Sequence, residues 1–98
     1  MSEVPFKARG VDWIAVFTVN PKLISKRQDG LCNYDDHAVS IRRTLKGRQA
    51  IGTLIHEFAH AFFPDAREGV IEAFESELTQ LLDDCGMIDD EWSVDEVK

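Results

Sequence analysis

Ninety-eight residues, 44% of them hydrophobic and 30% charged, are enough for one globular domain and too few for two. No apolar run reaches membrane-spanning length, and two cysteines, Cys32 and Cys85, are too few for a disulfide framework. A net charge of −7 argues against general nucleic-acid binding, so neither a nucleic acid nor a membrane is an expected partner.

The chain opens on Met1-Ser2-Glu3-Val4-Pro5, which has neither a basic lead nor an apolar signal core, and a cytoplasmic location is expected. Trp13 to Val19 is rich in aromatic and β-branched residues, ends at Asn20-Pro21, and reads as a buried strand. Leu23-Ile24-Ser25 suits a short strand or a turn, and Asp29-Gly30 is a turn signal ahead of Leu31 to Tyr34. After a tight turn at Asp35-Asp36, residues His37 to Arg42 alternate as a half-buried strand with Val39 and Ile41 inward. These segments predict a small antiparallel hairpin beside the Trp13 strand.

From Thr44, a candidate N-cap, apolar residues recur at Ile51, Leu54, Ile55, Phe58 and Phe62, the spacing of an amphipathic helix that Pro64 stops. On the same helical wheel His56 and His60 lie about 140° and 180° from Ile51, so this helix has two purposeful faces. Gly52 in its interior suggests close approach of another backbone. Asp65 with Glu68 resembles a capping box opening a second helix, whose apolar face would be Val70, Ile71, Phe74, Leu78, Leu81, Leu82 and Cys85. Gly86 is placed to end it in the left-handed conformation, with Met87 packing back.

Residues 1–63 hold nine Lys/Arg against six Asp/Glu, whereas residues 64–98 hold two against twelve. A solvated acidic helix face and an acidic tail account for this asymmetry. The predicted organisation is one domain over residues 1–88 and a mobile or loosely docked tail over 89–98, with Trp92 as a minor candidate for partner recognition.

The chemistry concentrates in His56-Glu57-Phe58-Ala59-His60. Histidines at i and i+4 of a helix project together and can place two imidazole nitrogens on one zinc ion, and Glu57 beside them can act as a general base. The pattern occurs by chance on solvated helices, but here it is embedded in Thr53-Leu54-Ile55 and Ala61-Phe62-Phe63, where unpaired polar groups are costly. A third ligand is needed, and the remaining histidine, His37, lies beyond the hairpin. If the two helices form an antiparallel hairpin, equal rise on both places Glu72 nearest the metal, with Glu68 and Glu75, about one turn away, able to replace it.

The strand with Trp13, the Ile/Val-rich strand, and Leu54-Ile55-His56-Glu57-Phe58-Ala59-His60-Ala61 together resemble minimal gluzincin-type metallopeptidases, small phage- and bacterium-encoded zinc peptidases. SprT-like and ImmA/IrrE-type domains are more distant likenesses. The resemblance runs from about Trp13 to Leu82. It implies an α+β, zincin-like fold with about three strands, antiparallel or mixed, packed on the HExxH helix and a second long helix. It further implies His56, His60 and Glu72 as zinc ligands, Glu57 as general base, and a protein or peptide substrate, in the host cytoplasm if the chain is phage-encoded. Such families align an extended peptide on an edge strand, a role that would fall to Ala38–Arg42, and stabilise the oxyanion with a Tyr or His. Tyr34 and His37 are the candidates of those types. The alternative expectation is a non-catalytic binding or regulatory module of the same fold with a structural metal, for which Glu57 would be unnecessary.

Overall fold

The computed structural model describes residues 2–94. Its elements run β1 (Ser2–Ala8), β2 (Val11–Thr18), β3 (Gly30–Asn33), β4 (Ala38–Arg42), α1 (Gly47–Phe62) and α2 (Glu68–Asp84). The fold is α+β, as expected, with one mixed four-stranded sheet in the order β1-β2-β4-β3. β1 pairs antiparallel with β2, β2 parallel with β4, and β3 antiparallel with β4.

The fourth strand is β1, absent from the sequence reading. Pro5 cannot donate to a ladder, and its tolerance here follows from β1 being an edge strand. The β1–β2 turn is equally unadvertised. Arg9 and Gly10 form a two-residue connection with φ of 53° and 80°, the twist that matches a right-handed hairpin, but without the usual Asn or Asp first residue. The predicted hairpin of β3 and β4 is present, and β4 lies beside β2 in parallel. Val39 and Ile41 are buried as predicted, but Ser40 between them is buried as well, so this central strand is not the half-buried one expected. His37 does not belong to the strand: it sits in the preceding turn at φ 49°. Leu23 and Ile24 resolve as a turn, both backbone N–H groups donating to the Asn20 carbonyl.

This order corrects one expectation directly. β4 is flanked by β2 and β3 and has no free edge, so Ala38–Arg42 cannot receive an extended peptide; the sheet's edges are β1 and β3.

The core gathers Trp13, Ala15 and Phe17 of β2, Val39 and Ile41 of β4, and Ala61 of α1. α1 presents its smallest residues to its neighbours: Ala50, Gly52, Ala59 and Ala61 are buried, while Leu54, Ile55 and Phe62 are only partly so. At Gly52 it is side chains, not the expected second backbone, that come close: a Cβ there would stand 3.1 Å from a Glu75 carboxylate oxygen and 3.6 Å from the Thr79 hydroxyl. The caps differ from prediction. Lys46 and Arg67, not Thr44 and Asp65, precede the helices, and neither makes a side-chain cap. The capping box fails because α2 begins too late for it: with Arg67 at the N-cap, Glu68 is the first helical residue, and its side chain is engaged by the histidines of α1. Gly86 does close α2 at φ 74°, with the Met87 N–H on the Leu82 carbonyl, but Met87 itself stays 69% exposed. Asp83, unfavourably placed for the helix dipole, accepts a 2.7 Å bond from Arg48 of α1.

Of the acidic tail, residues 95–98 lie outside the described residues. Val94 is buried in the core cluster, and the Trp92 carbonyl accepts the Gly47 N–H at 2.8 Å, satisfying an amide at the start of α1. Gly47 has φ 53°, and a Cβ on it would meet the Asp90 carbonyl oxygen at 2.6 Å. Gly47→Ala is therefore expected to lower unfolding free energy by about 2 kcal/mol, read from urea denaturation, through left-handed strain and displacement of the tail.

Candidate metal centre

α1 carries both histidines on the face that turns from the sheet toward α2. Their Nε2 atoms stand 3.2 Å apart. One Glu68 oxygen lies 2.9 Å from His56 Nε2 and the other 3.0 Å from His60 Nε2. The three donor atoms all fall within 4.8 Å of one another. A tetrahedral zinc site with bonds near 2.0–2.1 Å has donor–donor edges of about 3.3–3.4 Å, so small adjustments bring this trio to that geometry. Two imidazoles and a carboxylate are also a donor set that zinc accepts in open sites, and the group fits the ion.

The third member is thus Glu68, one of the two named alternatives, and not Glu72, which is exposed and outside the group. Equal rise along the hairpin holds, but azimuth decides. Glu75 faces α1, and Glu68, seven residues back, is turned only about 20° from it, whereas Glu72 is turned about 60°. Glu75 has its own part: its Oε1 is 2.8 Å from His56 Nδ1. A neutral His56 donating there presents a lone pair at Nε2, the tautomer a ligand requires. Burial works against a charged His56, but the Glu75 hydrogen bond and the charges of Glu57, Glu68 and Glu75 outweigh it and raise its pKa. The carboxylates around His56 thus favour its protonated form.

Glu57 sits on α1 next to His56 and is 6% exposed. Burial is the main cause that raises its pKa to about 7; His56 opposes the rise, and Glu68 and Glu75 add to it. The carboxylate has room because residue 30 is glycine. A Cβ at Gly30 would lie 2.7 Å from a Glu57 oxygen and 2.8 Å from the Thr53 methyl.

A cavity of about 290 Å³ joins these groups, bounded by α1, Glu68 and the edge strand β3. Cys32 of β3 lines it, half-buried, its thiol pushed up to about 11 by burial first and by Glu57 second, while Tyr34 lowers it. Tyr34, one of two candidates for oxyanion stabilisation, also lines the cavity, with its hydroxyl donating to the His60 carbonyl at 2.9 Å. His37, the other, is not brought to the site; it stacks on Trp13 with ring centres 5.1 Å apart. Sequence reasoning had not assigned Gly30, Cys32 or the orienting role of Glu75 to this site. The seven-residue spacing of Glu68 and Glu75 was the available signal for two carboxylates stacked on one helix face.

No protein-family model matches the chain. No curated protein and no solved structure matches it either.

The raised Glu57 pKa fixes a sign for pH dependence. A carboxyl whose folded pKa of about 7 exceeds its ordinary 4.5 stabilises the fold fully below pH 4.5, and that contribution is lost as pH rises through 7. In metal-free protein at pH 8, Glu57→Gln is expected to be more stable than the parent by on the order of 2–3 kcal/mol, with the gap closing toward pH 4.5. Urea midpoints across that range check it.

Proposed function

We propose that the chain is a zinc-dependent hydrolase, a metallopeptidase that cleaves a protein or peptide. The observation that carries this reading is the joint placement of His56, His60 and Glu68 as a donor group with the buried carboxylate of Glu57 on the same cavity wall. A bound zinc ion supplies Lewis acidity, acidifying a water molecule and polarising a substrate carbonyl.

The protein's own residues do the rest. His56, His60 and Glu68 hold the ion, and Glu75 fixes the ring of His56 through Nδ1. Glu57, with a pKa of about 7, is suited to take a proton from water near neutral pH and return it to a leaving amine. The thiol of Cys32, kept neutral by burial, adds no further anion to a wall that already carries Glu57 and Glu68. β3 is an edge strand that begins at the site with Gly30, so an extended substrate can pair with it by strand addition while its scissile carbonyl faces the donor group. Tyr34 stands at the rim, where release of its bond to the His60 carbonyl would free its hydroxyl for the developing oxyanion.

A second reading, a binding module with a structural metal, is favoured by one observation: the donors come from both helices, so the ion would staple α2 to α1. Glu57 separates the two, because a staple has no use for a buried base.

Zinc content and cleavage of a denatured protein, followed by mass spectrometry, test the proposal. The parent is expected to bind one zinc per chain and release peptides. Glu57→Gln should keep the zinc and lose at least about 100-fold in rate. Glu68→Ala should lose the zinc, Glu72→Ala should retain both zinc and activity, and Glu75→Gln should weaken zinc by about 10-fold or more. Retained zinc with no cleavage by any of these proteins would support the staple. Protein that zinc neither binds nor stabilises would overturn both readings.

A further inference from the structure

The larger cavity has the opposite character. It encloses about 460 Å³ between the sheet and the two helices, and every residue lining it is apolar, with Phe17 and Val39 from the sheet, Phe74 and Leu78 from α2, and Trp92 from the C-terminal stretch. That volume lies within the range of natural ligand sites. The apolar surface continues past its mouth. Val70, Phe74 and Leu81 are 60%, 41% and 57% exposed and lie within about 40° of arc on α2, forming a seam along the helix.

Charge selects the occupant. Residues 68–94 hold nine Asp/Glu and no Lys or Arg. Glu77 and Asp84 fall within about 40° of Val70, along the edge of the seam. A second copy laid on it would set these carboxylates against their own kind, and an anionic membrane surface would be repelled. A cationic amphipathic segment meets both requirements at once.

We propose that the cavity and the α2 seam form a docking groove for a cationic amphipathic helix of a partner polypeptide. Its apolar side chains enter between the sheet and Phe74, and its Lys or Arg side chains pair with Glu77 and Asp84. Neither carboxylate belongs to the donor group of the metal centre, so the groove stands whether or not zinc is bound.

The test uses the full chain and a synthetic amphipathic helix of about 14 residues built from Leu and Lys, beside the same pattern built from Leu and Glu. Binding is read by calorimetry and by Trp fluorescence. The Leu/Lys peptide is expected to bind one per chain and to weaken with added salt. Affinity should fall about tenfold or more in Phe74→Ser, in Leu81→Ser, whose exposed position guards against misfolding, and in Glu77→Lys/Asp84→Lys, but not in Val19→Ser. Equal binding of both peptides, or full affinity in both Phe74→Ser and Leu81→Ser, overturns the proposal. So does self-association by sedimentation that Leu81→Ser abolishes, which would give the seam to a second copy.

Discussion

One carboxylate joins the two helices at their most demanding point. Glu68 reaches from the first turn of α2 to both imidazoles of α1, and Glu75, two turns on, takes the other nitrogen of His56. Two carboxylates and two imidazoles therefore share a small, partly buried volume with Glu57. Like charges gathered there repel, and positive charge from protonated imidazole or a metal ion would relieve them. Burial first, and the neighbouring carboxylates after it, make Glu57 a poor anion, and the same carboxylates favour a protonated His56. The helix interface is built to allow it: Gly52 lets Glu75 and Thr79 come close, and the Thr79 hydroxyl is buried with no hydrogen-bond partner among the described residues. An unpaired hydroxyl costs about 1–3 kcal/mol, a cost accepted at the crossing that sets the donors.

Placing the second helix against the first has a consequence on the opposite side. α2 packs chiefly on α1, and the space left between α2 and the sheet is the large apolar cavity. An aromatic series reaches it at Phe6, Phe58 and Phe74: Phe6 meets Phe58, Phe58 meets Phe62, Phe62 meets Phe63 and Phe63 meets Phe74, with centroid separations of 4.8 to 6.2 Å. Phe6 and Phe62 pack against the core, whereas Phe58, Phe63 and Phe74 each keep more than a third of their surface exposed.

Much of this was legible in the sequence because it rests on local rules. Val39 and Ile41 alternate, Gly86 ends a helix, and the pair His56 and His60 is fixed by helical periodicity alone. What was hidden depends on azimuth or on long-range partners. Glu72 was preferred over Glu68 by rise, but a turn of about 60° against 20° decides which carboxylate meets the imidazoles. β1 is hidden in the sequence because it carries Pro5, a residue uncommon inside strands, and because its turn uses Arg9 in a conformation usually reserved for Asn or Gly. The position of Ala38–Arg42 inside the sheet could not be read from its own residues, since edge or centre is a property of neighbours. The same holds for Gly47, whose need for glycine arises from Asp90, more than forty residues away.

α1 is thus the axis on which two unlike surfaces are hung. Its small residues let the sheet and α2 come near; its histidines and Glu57 face a polar cavity reached from β3, and Leu54, Ile55 and Phe58 face the apolar one. The two cavities share this helix and share α2 as a wall, through Glu68 in one and Phe74 and Leu78 in the other. A cation drawn between His56, His60 and Glu68 would tie α2 to α1 at its N-terminal end, while Arg48 ties it through Asp83 at the other. The far wall of the apolar groove is therefore held at both ends by polar contacts that do not enter the groove, which leaves its lining free to be wholly apolar.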